Sequence, residues 1–136
     1  MRYLNQLLRP VFLVAVTLLS LLSINVAVAH HSAAMFNMEE EVVLKGTVKK
    51  FQFTNPHVWI HLQVVNEDGT ETLWKIEALN PNALKRKGWK RNTFKAGDEV
   101  TVTAAPAKSG KPKANFIRAI TADGSEIGQK QPDREH

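Results

Sequence analysis

The chain has 136 residues, a formal net charge of +5 and no cysteine. That length holds one domain with a modest core. The missing thiols exclude a disulfide-stapled scaffold and thiol catalysis, and so small and dispersed a charge does not by itself argue for nucleic acid.

Residues 1–29 read as a secretory signal peptide. Arg2 and Arg9 form the positive region, Val11 to Ile24 is apolar except for Thr17, Ser20 and Ser23, and Ala27-Val28-Ala29 offers small residues for cleavage. The apolar run is about 14 residues, short of the ~20 that span a bilayer. A retained anchor is therefore the weaker alternative, and no second membrane-spanning candidate follows. Cleavage after Ala29 leaves 107 residues with net charge +3, in the periplasm or outside the cell.

Residues 30–41 form an expected N-terminal arm, docked through Phe36, with Glu39-Glu40-Glu41 leading into the first strand. Val42 to Phe53 is a long strand. Val42, Leu44 and Val48 share a face at period two. Gly46 on that face marks a bulge or bend. Phe51 and Phe53 then fall on the opposite parity, so either a bulge lies near Lys49-Lys50 or the strand curls.

Thr54-Asn55-Pro56 makes a corner, because proline lacks a ladder donor and moves Asn55 out of the helical region. From His57 to Val65, Val58, Ile60, Leu62 and Val64 face one way; His57, Trp59, His61 and Gln63 face the other. Asn66-Glu67-Asp68-Gly69 is a hairpin turn, and Thr70 to Leu79 is the third strand. Asn80 to Gly88 is a short helix, with Asn80 as cap, Pro81 in the first turn and Gly88 as stop. Trp89 is expected to pack back on the sheet. After a turn at Phe94 to Asp98 come a fourth strand (Glu99 to Ala105), a hairpin loop (Lys108 to Lys113) and a fifth strand (Ala114 to Thr121). Residues 125–136 read as a polar tail.

The order strand, strand, strand, short helix, strand, strand predicts an all-β domain with one short helix over residues 42–124. It matches the five-stranded Greek-key OB-fold-like barrel, the alternative being an open sheet packed with one helix.

Several blocks carry a resemblance: His30-His31-Ser32, Leu44-Lys45-Gly46-Thr47-Val48, Thr54-Asn55-Pro56-His57-Val58-Trp59-Ile60, Pro81-Asn82-Ala83-Leu84, Gly88-Trp89 and Ala96-Gly97-Asp98-Glu99-Val100-Thr101-Val102. Together they resemble an exported bacterial family known as domain of unknown function 6152. The resemblance implies export and a small β-rich fold, and no established activity.

Three groups of residues could carry chemistry. After cleavage His30 would hold a free α-amine beside its imidazole, a chelate for copper or another transition metal. His31, His57 and His61 are the available partners, and Met35 and Met38 could add thioethers; the first choice of metal set is His30, His31 and His57. The alternative is a polar start to a flexible arm. His57 and His61 do not share an ion on a regular strand, since four residues span ~13 Å. Second, His57, Trp59 and His61 form a stripe opposite the apolar side, where OB-folds carry ligands. Alternatively the arm covers Trp59 through Met35 or Phe36. Third, Lys85, Arg86, Lys87, Lys90 and Arg91 form a basic run, which with Lys108, Lys111 and Lys113 could make a patch for an anion, a lipid head group or an acidic partner; it is read as a solvated face with helix-dipole pairing. With no nucleophile–base arrangement and no phosphate loop, the expectation is a binding module for a small ligand and not an enzyme. A copper protein or an adaptor for an exported partner are the alternatives, and nucleic acid is disfavoured.

Overall fold

A computed structural model describes residues 34–129. The expected signal peptide at 1–29, His30, His31 and residues 130–136 lie outside the described residues.

β1 (Val42–Gln52) is shared by both halves of the barrel. Its first part pairs with β4 (Glu99–Pro106), from Val42↔Ala104 to Thr47↔Glu99. Its second part pairs with β2 (Val58–Val65), from Gly46↔Val64 to Gln52↔Trp59. One strand serves both only by bending sharply, and two residues allow this. A Cβ at Gly46 would overlap the Gln63 carbonyl oxygen and press on the Leu62 side chain, so the close approach of β1 and β2 requires glycine. Lys49 is the extra residue of a bulge, the register shifting between Val48 and Lys50. The predicted change of parity is this bulge, and it returns Phe51 and Phe53 to the core side. Val48 secures the bend: its N–H donates to Asp98 O, and its carbonyl accepts from the Gly97 N–H, both at 2.8 Å.

β2 runs antiparallel to β3 (Glu71–Ala78) through the predicted hairpin. There Asp68 accepts hydrogen bonds from the Thr70 N–H (2.9 Å) and hydroxyl (2.6 Å), which hold its carboxyl below the ordinary aspartate range. The helix α1 spans Pro81–Lys85. Asn80 caps it by accepting from the Ala83 N–H at 2.9 Å, and the stretch ends at Gly88, whose φ of +87° is costly for a side chain. β5 (Lys113–Thr121) lies antiparallel to β4. Its first residues also run parallel to β3, pairing Lys75↔Lys113, Ile76↔Ala114 and Glu77↔Asn115. That contact closes the ring β1-β2-β3-β5-β4. The protein is an all-β domain with one short helix, a closed five-stranded barrel of OB-fold type.

Residues expected to begin a polar tail instead make β6 (Glu126–Gly128), antiparallel to the end of β5. Gln129 continues the attachment. Its side chain accepts from the Leu79 N–H at 3.1 Å and donates to Phe116 O, linking β3 to β5 beyond their short ladder. Three residues are too few to show alternation, so this strand exists through its tertiary partners. One is the indole N–H of Trp89, which donates to Gly128 O at 2.9 Å.

The core contains Val48, Val58, Ile60, Leu62, Ile76, Val102 and Phe116, all fully buried. At one end Trp89 meets Phe116 and Phe94 edge to face, with centroids 5.1 and 5.5 Å apart. The N-terminal arm docks through Phe36 as expected: Phe36 is buried and bridges Ala107, and Asn37 N–H donates to Pro106 O at 2.8 Å. Among the described residues no helix is long and apolar enough to cross a membrane.

Candidate functional site

Strand alternation and barrel closure together place two rungs of outward side chains across β1, β2, β3 and β5. Val58, Ile60, Leu62, Ile76 and Ala114 point to the core, so their neighbours point away. The register aligns Gln52↔Trp59↔Glu77↔Asn115 as one rung and Lys50↔His61↔Lys75↔Lys113 as the next. Adjacent strands are ~4.8 Å apart. The second rung is therefore three lysines and a histidine side by side, with no carboxylate among them.

Trp59 is half-buried, and the Lys113 ammonium lies over its ring, 5.1 Å from the centroid, a cation–π arrangement. The group over the Trp59 ring is thus Lys113, and Phe36 of the arm bridges Ala107. His61 Nε2–H donates to Gln52 Oε1 at 2.8 Å. Burial, then the charges of Lys50 and Lys75, push the His61 pKa below its ordinary value, so the imidazole is neutral at neutral pH. Gln52, Trp59, His61, Lys75 and Lys113 line one shallow depression of about 320 Å³.

The expected stripe of His57, Trp59 and His61 is divided. Trp59 and His61 line the depression, whereas His57 precedes β2 and turns its Nδ1 to the Glu77 carboxylate. Glu77 is 4 % exposed and His57 32 % exposed. The two histidines thus engage different partners. Of the expected metal set, His57 lies within the described residues and His30 and His31 lie outside. Among the described residues no group of three or more histidine, aspartate or glutamate side chains converges as a metal site. In the basic run Lys85, Arg86, Lys90 and Arg91 are exposed, and Arg91 donates to Phe53 O at 3.3 Å.

Sequence reading missed Gln52, Lys50, Lys75 and Asn115, and grouped Lys113 with the basic run instead of with this face. The parity of Lys50, Gln52 and Lys75 was visible in their strands. Lys113 and Asn115 join the face only through the parallel β3–β5 contact, which leaves no trace in local pattern.

Fold and face together define a small OB-fold barrel whose outer surface carries a rung of lysines on β1, β3 and β5 with His61 of β2 among them. The chain belongs to the Family of unknown function (DUF6152), which matches residues 18–116. No curated protein matches it. Among solved structures, the mitochondrial single-stranded DNA binding protein Rim1 of S. cerevisiae aligns with a TM-score of 0.47 and 13% identity, over 61% of this chain and 93% of that one.

Proposed function

We propose that this protein is an exported, non-catalytic binding module that holds an anionic ligand on the outer face that runs across β1, β2, β3 and β5. The observation that carries the reading is the rung Lys50–His61–Lys75–Lys113. Like charges directly opposite each other across strands destabilise a sheet. Folding alone does not favour Lys75 beside Lys113, and an anion bound between them removes the repulsion. The neutral His61 adds a polar group that gains a proton when an anion arrives. The signal-like residues 1–29 support a site of action in the periplasm or outside the cell.

Thermal unfolding with and without a soluble polyanion tests this. The anion should raise the unfolding temperature of the wild-type protein. Lys75→Ala should be at least as stable as wild type without anion, and should lose most of the anion-dependent gain. An equal gain in both proteins would remove the rung as the site.

A second reading has one observation in its favour. His57 is oriented by the buried Glu77 carboxylate, the arrangement that commonly orients metal-binding imidazoles. With the amine and imidazole of a newly cut His30 it would hold copper. Mass spectrometry should find His30 as the first residue of the exported protein, and copper titration should show stoichiometric binding lost in His30→Ala and in His57→Ala. A chain beginning at any other residue ends this reading.

A further inference from the structure

We infer that the anionic ligand is an acidic polysaccharide, a chain of uronic-acid rings lying across the strands; this rests on the anion face proposed above. The three lysines and the His61 imidazole occupy four neighbouring strands, a span of about 14 Å at ~4.8 Å per strand. One carboxylate or phosphate group does not cover that width, so the ligand is a chain with repeated charge. The surface offers one cationic or proton-accepting group per strand. A uronic-acid chain carries one carboxylate per sugar ring, a spacing comparable to one strand. Successive phosphates in a polyphosphate share a bridging oxygen and crowd closer than that.

The adjacent rung, whose Glu77 carboxylate is buried and paired with His57, suits the rest of a sugar ring. It lies two residues along each strand, about 7 Å from the cations. There Gln52 has its Oε1 occupied by His61, which leaves the amide N–H groups of Gln52 as donors. Asn115 has its Oδ1 facing the Gln129 amide at 3.4 Å, which leaves its own amide N–H groups as donors too. Ring hydroxyls and ring oxygens accept from such groups. A uronic-acid residue carries its carboxylate on one side and hydroxyls on the other, so it can address both rungs at once.

The face is poorly built for nucleobases. Sequence-tolerant single-strand binders stack successive bases on successive aromatic rings. Across the two rungs the rings are Trp59, over which the Lys113 ammonium already lies, and the His61 imidazole, which is bonded to Gln52. Phe51 and Phe53 pack with the core cluster.

Calorimetric titration at fixed ionic strength separates the possibilities, with the exported protein and four probes: oligogalacturonates of increasing length, their methyl esters, a polyphosphate of matched charge and an oligothymidylate. Affinity for the oligogalacturonates should climb with each ring up to about four, one per strand, and then level off. The methyl esters should not bind. The Lys75→Ala/Lys113→Ala double variant should bind about tenfold or more weaker. Asn115→Ala should weaken oligogalacturonate several-fold and leave polyphosphate unchanged. Polyphosphate or oligothymidylate binding as tightly as the longest oligogalacturonate would overturn the sugar inference while leaving the anion face standing. So would affinity independent of ring number. Binding of the methyl esters, or no polyanion binding at all, would overturn both.

Discussion

Two tryptophans of this barrel face opposite circumstances. Trp89 is 4 % exposed, set edge-on against Phe94 and Phe116, with its indole N–H bonded to Gly128 O. Trp59 is half-buried on the outer surface, with a lysine ammonium over its face and a neutral histidine one rung away. The first ring has its area buried and its polar atom satisfied, which is what a core needs. The second holds a cation in place among other cations, which no core needs. One ring therefore serves stability and the other serves the surface. Residue type does not distinguish them; their surroundings do.

Truncating each ring tests this contrast most strongly. Trp89→Ala should cost about 3–5 kcal/mol in chemical denaturation and release β6, which would show as fast amide exchange at residues 126–128. Trp59→Ala should cost about 1 kcal/mol or less while freeing Lys113 and weakening anion capture. Equal losses from the two variants would erase the distinction.

A change at the bend acts on both regions at once. Gly46→Ala places a methyl group against the Gln63 carbonyl, and should cost about 2–3 kcal/mol by forcing β1 away from β2. Because Lys50 and Gln52 follow the same bend, anion binding should fall as well. Unchanged stability would mean that β1 has slack at its tightest approach.

The subtlest effect is that of pH on His61. Its folded-state pKa lies below the ordinary 6.5. Between those two values the unfolded chain binds more protons than the folded one. The stability due to neutral His61 is thus fully present above pH 6.5 and is lost as pH falls through the folded value. A bound anion favours the imidazolium and moves the pKa back up, so anion affinity should rise over that same interval of falling pH. His61→Gln should flatten that rise, and a proton NMR titration of the imidazole, with and without anion, reads it directly. No shift of the imidazole titration on anion binding would place the ligand away from His61.

Much of the architecture was legible in the residues. The parity slip after Val48 is the bulge at Lys49, the cap at Asn80 starts α1, which ends at Lys85 before a turn that runs to Gly88, and the element order is that of the closed barrel. These are local properties: alternation, turn chemistry and the limits of proline and glycine. The face was legible in part. Trp59 and His61 were placed correctly on the outer side of β2. His57 was grouped with them on parity, but it stands before the strand and is turned by Glu77. The burial of a glutamate in β3 has no local signature.

The sequence by itself determined which residues form strands, which side of its strand each residue takes, and where the chain must turn. Short-range sterics and period-two alternation act within a few residues, so a linear reading recovers them. Tertiary structure alone decided which strands lie side by side. The parallel contact of residues 75–77 with 113–115 set Lys113 beside Lys75, and the Trp89 indole and Gln129 gave Glu126, Ile127 and Gly128 a place as β6. Those pairings join segments dozens of residues apart. Alternation says which way a side chain points and nothing about what stands next to it.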